Sequence, residues 1–293
     1  MGEELWIPIT VAAAFLQNLR SLLQKRLTGA LSVNGAAYVR FCYALPFAWL
    51  YLLALGRGST LPSPTPEFWA YCLTGALGQV FANACLVAAF TVRNFAVATA
   101  LSKTEAVQTA LIGFVVLADA VSTRAAAGIG VSLIGVLALS GTPRVRDLLR
   151  ADRALVLGLL AGAGLAVAAV GFRGAALALP SGSALVRAAT VLTTALTVQT
   201  LLVGVSLMFR EPGQLARVAR AWRGALWVGV CGMLASAGWF TAMTLQSAAL
   251  VRALGQVELV FAVATSVWLF RERLTWREGL GVALLVIGIL LLL

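Results

Sequence analysis

The sequence predicts an all-α integral membrane protein whose ten transmembrane helices form two inverted five-helix repeats. Three observations predict it. Of 293 residues, 61% are hydrophobic and only 11% charged, against about 45–50% and about 25% in a soluble domain, so this chain does not supply a water-facing surface. The apolar residues fall in long continuous runs rather than the alternating pattern of a barrel strand. The two halves of the chain also resemble each other at a constant offset.

A helix needs roughly 20 apolar residues to cross a bilayer. Ten such runs are read, near 6–27, 33–55, 67–92, 95–118, 124–141, 153–177, 183–208, 223–247, 249–270 and 275–293. Turn formers separate them. Gly56, Gly58, Pro62, Pro64 and Pro66 mark the loop after the second run, Pro180-Ser181-Gly182 the break after the sixth, and Arg210-Glu211-Pro212-Gly213 the break after the seventh. Residues 1–141 form the first repeat, polar residues 142–152 with Pro143 a cytoplasmic linker, and residues 153–293 the second repeat. Pro46 predicts a kink in the second run. No basic n-region or small-residue cleavage site stands at the start, so no removable signal peptide is expected.

The net charge of +11 reads as topology. Ten spans put both termini on one side, where Arg57 and Arg124 are the clear basic residues. The opposite loops carry Lys25, Arg26, Arg93, Arg144, Arg146, Arg150, Arg153, Arg210, Arg217, Arg220, Arg223, Arg271, Arg273 and Arg277. The positive-inside rule places those loops in the cytoplasm and both termini outside, periplasmic for a bacterial-type inner membrane. Trp6, Trp69, Trp222 and Trp276 near span ends are expected to anchor at the interface. With the basic residues assigned to loops beside lipid, nucleic-acid binding is not implied.

The chain has no histidine, and its four cysteines lie far apart in apolar runs without a CxxC pair. Neither a zinc site nor a disulfide framework is indicated, and no metal or cofactor is expected. An enzyme would need a nucleophile with its base, or metal ligands, at depth, and these runs hold no aspartate at depth. Catalysis is therefore not expected.

At an offset of 153, residues 83–140 fall on 236–293, pairing Glu105 with Glu258, Arg124 with Arg277, Gly128 with Gly281 and Gly135 with Gly288. Arg20 meets Arg173 at the same offset, and after a six-residue shift Asn34–Arg40 meets Ser181–Arg187. Five spans is an odd number, so the second copy enters from the opposite face. The loop charges agree: the sparse loop at Arg57 corresponds to the arginine-rich 210–223 segment. Inverted repeats are typical of transporters, with substrate near the midplane where the copies meet.

The closing stretch from Leu269 to Leu290, with Glu272-Arg273-Leu274-Thr275 before the last helix and the Gly281-x6-Gly288 spacing, resembles the end of an EamA repeat. The first copy departs from it, having Asp119-Ala120-Val121-Ser122 in place of Glu272 to Thr275. The EamA proteins belong to the drug/metabolite transporter superfamily. The resemblance implies ten helices around a central cavity, with spans five and ten peripheral. It also implies export of small metabolites by alternating access. Amino acids, aromatic or other neutral as in YddG-like exporters, are the first expectation. Nucleotide sugars, phosphate esters and toxic organic cations are the alternative.

An ionisable side chain at the bilayer centre costs about 2.5–3.5 kcal/mol on insertion scales, so it faces a partner or water. Glu105 and Glu258 lie nine or ten residues into their spans, near the midplane. Lys103 stands close to Glu105, Gln256 occupies the equivalent place beside Glu258, and Arg20 lies in the interior half of span one. Arg40, Arg173, Arg187 and Arg252 lie nearer span ends and are expected to snorkel. One reading makes Arg20, Lys103, Glu105 and Glu258 the lining of a wet cavity, the guanidinium meeting a carboxylate and the glutamates an ammonium group. The other pairs the acids internally with arginines that only fix helix register. Gln79, Asn83 and Phe90 share a face of span three, and Ser236, Trp239 and Met243 share a face of span eight, mixing polar and large groups as a pocket for an amphipathic molecule does. The expected site is thus Arg20, Gln79, Asn83, Phe90, Lys103, Glu105, Ser236, Trp239, Met243, Gln256 and Glu258. The expected partners are the lipid bilayer, a small molecule and, if transport is coupled, protons carried by a glutamate. The glycine faces at 128/135 and 281/288 fit close helix packing or a dimer contact.

Overall fold

A computed structural model describes residues 4–57, 60–89, 95–139, 153–269 and 275–293, all helix and turn without a strand among them. Phe90, the 142–152 linker and Glu272 to Leu274 lie outside the described residues. The helices are α1 (Trp6–Leu27), α2 (Val33–Cys42), α3 (Leu45–Gly56), α4 (Pro66–Ala89), α5 (Phe95–Ser102), α6 (Glu105–Leu117), α7 (Thr123–Leu139), α8 (Arg153–Leu177), α9 (Ala184–Arg210), α10 (Gln214–Arg220), α11 (Trp222–Leu245), α12 (Ala248–Gly255), α13 (Glu258–Leu269) and α14 (Trp276–Leu292). Seven helical stretches are long and apolar enough to cross a membrane, at 33–56, 66–89, 100–117, 153–177, 184–210, 222–245 and 248–265, with Thr123–Leu139 a shorter apolar helix.

Local chemistry sets the helix ends. Ser32, Ser183 and Ser247 accept hydrogen bonds from Gly35, Val186 and Leu250 backbone N–H groups and so cap α2, α9 and α12. Thr275 and Glu278 form a reciprocal capping box at α14. The caps correct one detail of the repeat: Ser32 and Ser183 stand 151 apart, so Arg40, counted from its cap, falls level with Val191 rather than Arg187.

Three spans are interrupted. Pro46 lies in the first turn of α3, and the second span breaks at Tyr43–Ala44 just before it. The other two breaks contain no proline. One lies at Lys103–Thr104 between α5 and α6, the other at Gln256–Val257 between α12 and α13, at the same 153 offset. Each is closed by tight turns: Lys103 and Thr104 N–H donate to Ala100 and Leu101 carbonyls, and Gln256 and Val257 N–H to Ala253 and Leu254 carbonyls.

The residues group into two compact units, each drawing on both repeats. The first comprises Met1–Leu77 and Gly171–Gln246, the second Gly78–Val170 and Ser247–Leu293. In the first unit α1 runs along α11, and α9 packs on α2, α3 and α11. Leu27, Leu31, Val39, Val218 and Val228 form a buried cluster there. Trp6, expected at the interface, is 5% exposed in this unit, because its place near a span end does not fix which way the ring faces. Trp276, by contrast, is 83% exposed.

In the second unit α7 and α14 are the most closely packed pair. A side chain at Gly135 would meet the Gly281 carbonyl oxygen at 2.8 Å, and one at Gly128 the Gly288 oxygen at 2.8 Å. Small residues let backbones approach where lipid supplies no hydrophobic drive between helices. Leu111, Phe114 and Val115 of α6 are exposed, as befits a surface solvated by acyl chains.

Candidate functional site

In the second unit the two interrupted spans bring four charges together. The Lys103 Nζ lies 2.5 Å from Glu258 Oε1, and the Arg252 Nη2 lies 2.7 Å from Glu105 Oε1. Both glutamates are the first residues of half-helices, α6 and α13, where the positive end of the backbone dipole favours a carboxylate. Gln256 reaches across the same region, donating from Nε2 to the Lys103 carbonyl at 3.4 Å. The arrangement is a crossed brace: each break carries an acid on its far side and receives a base from the other interrupted span. Thus Lys103, Glu105, Gln256 and Glu258 do converge. Lys103 pairs with Glu258 rather than with its sequence neighbour Glu105, and both carboxylates already hold a base.

Also in this unit, Gln79 and Asn83 are half-buried on α4. The Asn83 Nδ2 is buried without a hydrogen-bond partner, leaving a donor available there.

In the first unit α1 and α11 present the other half of the expected set. The Trp239 Nε1 donates to Gln17 Oε1 at 3.1 Å, fixing the buried indole against Gln17, one turn before Arg20 on α1. A Cβ at Gly232 would lie 3.2 Å from Arg20 Cδ and 3.8 Å from the Arg40 carbonyl oxygen. The missing side chain therefore makes room for Arg20 between α11 and α2. Ser236 is half-buried and Met243 buried on α11. The Met243 carbonyl accepts from Arg173 Nη1 at 2.9 Å, and the Gln246 carbonyl accepts from the same atom at 2.6 Å. Arg173 thus caps the C-terminal end of α11.

The four arginines expected to snorkel all turn inward. Arg252 pairs with Glu105, Arg173 holds α11, and Arg187 donates to the Ala176 carbonyl at 3.4 Å. Arg40 lies 4.4 Å over the Phe41 ring, with Nε and Nη2 buried and without hydrogen-bond partners. Sequence reasoning therefore missed Arg40 and Arg252. A signal existed for the second: two glutamates at equal depth beside one lysine require another base.

A cleft of about 480 Å³ opens in the first unit where α2 gives way to α3, bounded by Tyr38, Tyr43, Phe47 and Val218. The Tyr43 hydroxyl donates to the Val218 carbonyl at 3.1 Å beside it. Arg40 is not among its lining residues.

The EamA-like transporter family matches residues 4–141 and again residues 153–293. The chain belongs to the EamA-like transporter family. It is accordingly a multi-pass membrane transporter of the drug/metabolite transporter type, with a small-molecule substrate and the lipid bilayer as partners. No curated protein matches it in sequence. A solved crystal structure of a protein resembles it with a TM-score of 0.72 at 15% identity, covering 98% of this chain and 95% of the other. At that identity the likeness shows the fold alone.

Proposed function

We propose that this family member is an inner-membrane exporter of amino acids, aromatic or other neutral, with ten spans, both termini outside and an alternating-access cycle. One observation carries the reading. Within the first unit Arg20 on α1 stands one helical turn from Gln17, which holds the Trp239 indole. A carboxylate suits the guanidinium fork, and an apolar or aromatic side chain suits the indole face. The interrupted spans of the second unit support a transport cycle, because discontinuous helices are where transporters commonly build and move their sites.

Nucleotide sugars and phosphate esters remain the second reading, favoured by the arginines of the first unit. Organic cations are disfavoured, because Glu105 and Glu258 are already neutralised by Arg252 and Lys103. The test is flux from reconstituted vesicles loaded with labelled phenylalanine, alanine, a hexose phosphate or a quaternary amine. Phenylalanine or alanine efflux that falls at least tenfold in Arg20→Ala supports the reading. Movement of the phosphate ester alone replaces it with the second. Proton coupling by a glutamate predicts that an imposed pH gradient changes the flux, and a flux indifferent to the gradient removes it.

A further inference from the structure

One end of the first unit is strongly basic. The segments 21–34 and 210–226 carry Lys25, Arg26, Arg210, Arg217, Arg220 and Arg223, all exposed, against a single acid, Glu211. Contacts bring these segments together. Glu211 accepts from Ser32 Oγ at 2.5 Å and from Asn34 Nδ2 at 2.6 Å, which ties the end of α9 to the start of α2. A Cβ at Gly224 would lie 3.0 Å from Leu27 Cδ2, so the end of α1 meets the start of α11.

A basic end serves to orient a membrane protein, but orientation does not account for what adjoins it here. The cleft of about 480 Å³ has Tyr38, Tyr43 and Phe47 on the side of α2 and α3, Leu215 and Ala219 on α10, and Leu226 on α11. Two glycines shape it. A Cβ at Gly204 would meet the Tyr38 hydroxyl oxygen at 2.8 Å, and one at Gly229 the Tyr43 backbone carbon at 2.6 Å. Tyr38 therefore lies against α9, and the break between α2 and α3 closes on α11.

Two of the bases stand next to these walls. Arg220 directly follows Ala219 on α10. Arg223 stands one turn before Leu226 on α11, and side chains three apart share a helix face. The Arg223 guanidinium carbon lies 5.5 Å from the centre of the Trp222 ring, and Trp222 is 53% exposed, as suits a ring at the headgroup level of a bilayer. A smooth lipid-facing helix makes little choice among phospholipids. An apolar recess beside exposed guanidinium groups engages an acyl chain and a phosphate at once.

We propose that this cleft and the arginines beside it, Arg220 and Arg223 foremost, form a binding site for one anionic phospholipid. Its acyl chain occupies the recess between the α2–α3 break and α10–α11, and its phosphate meets the guanidinium groups. Neither Arg20 nor Trp239 lines the cleft, so the inference stands whatever the cargo is.

The test titrates full-length protein in detergent with phosphatidylglycerol, phosphatidylcholine or glycerol phosphate at constant ionic strength. Retained lipid and oligomeric state are read by native mass spectrometry, and Tm by intrinsic fluorescence. One phosphatidylglycerol held at least tenfold more tightly than phosphatidylcholine, with a raised Tm, is the expected result. Arg220→Gln combined with Arg223→Gln weakens that binding about tenfold to thirtyfold, as the loss of two interfacial bases does. Arg220→Lys combined with Arg223→Lys keeps most of it. Ala219→Phe, at an exposed position, narrows the recess with every charge in place and weakens binding several-fold. Arg57→Gln, which removes an exposed charge of the same unit outside this end, leaves it unchanged. Equal retention of the two lipids overturns the site, as does phosphatidylglycerol binding that is indifferent to the arginine pair or to Ala219→Phe. Glycerol phosphate bound as tightly as the lipid also overturns it, because the acyl chain would then contribute nothing. A dimer that retains no lipid and dissociates in Ala219→Phe gives the cleft to a second copy of the chain and overturns it likewise.

Discussion

Replacing Glu105 by glutamine removes the carboxylate that the Arg252 guanidinium contacts directly in the interior of the second unit. The Glu105 side chain is 6% exposed and that of Arg252 17%, so water compensates little. Breaking a buried pair by removing one partner costs about 3–5 kcal/mol. The lower end applies because the Arg252 head is not sealed, and about 3 kcal/mol lowers Tm by roughly 6–12 °C on the scale of medium-sized domains. The Lys103–Glu258 pair is 21% and 19% exposed, so Glu258→Gln is expected to lower Tm by only about half as much. The assay is thermal unfolding in detergent, followed by intrinsic fluorescence and checked by gel filtration. Arg252→Met combined with Glu105→Gln removes both charges together and should recover much of the loss, because no orphaned ion remains. If the double variant is as unstable as the sum of the two single variants, or if Glu105→Gln alone melts within 1 °C of wild type, the ion-pair account is wrong.

Other outcomes follow from the same geometry. Gly135→Leu should prevent α7 and α14 from closing, since even a Cβ there meets the Leu285 nitrogen at 2.6 Å; a Tm loss of at least about 5 °C is expected, on the order of an overpacked core, whereas Gly130→Ala, with open space around it, should melt like wild type. Gln17→Leu removes the acceptor of the Trp239 indole and should red-shift or broaden its emission and weaken phenylalanine efflux several-fold, with alanine efflux less affected. Glu211→Ala strands the Ser32 and Asn34 donors at the start of α2; about 1–2 kcal/mol of stability should be lost, seen as faster hydrogen exchange in the first turn of α2.

The bilayer made much of this fold legible. Its thickness demands apolar runs of a fixed length, and the runs at 66–89, 153–177 and 222–245 are visible as sequence because of it. Pro46 likewise announced the break before α3. The breaks at 103–104 and 256–257 were not legible as breaks: Lys103, Thr104, Gln256 and Val257 all tolerate a helix, and nothing local distinguishes one long helix from two half-helices. The polar run Ser102-Lys103-Thr104 and the Gly255-Gln256 pair, matched at one offset, were the available hint. The two glutamates were singled out by their place within the apolar runs alone. Their partners were not, since Lys103 and Glu258 are separated by 155 positions, and Arg252 and Glu105 by 147. Arg40 was misread for a related reason, as counting from a span end measures depth but not which neighbouring helix a side chain meets.

The duplication and the charges tell different histories. The acids obey the repeat, since Glu105 and Glu258 stand at the same position of equivalent half-helices. The bases do not: the equivalent of Lys103 is Gln256, and the equivalent of Arg252 is Thr99. A fully symmetric brace would pair Glu105 with a lysine at position 256, where Gln256 already reaches the Lys103 carbonyl and keeps a buried, unpartnered Oε1. The repeat therefore predicts that the base of Glu105 is movable. Arg252→Thr alone should lose about 3 kcal/mol, as any stranded buried carboxylate does. Adding Gln256→Lys to that variant should restore at least half of the lost Tm, because the new ammonium group copies the relation of Lys103 to Glu258. If the added lysine lowers Tm further, the two breaks are alike in sequence position only, and the symmetry of the brace is not a property of its packing.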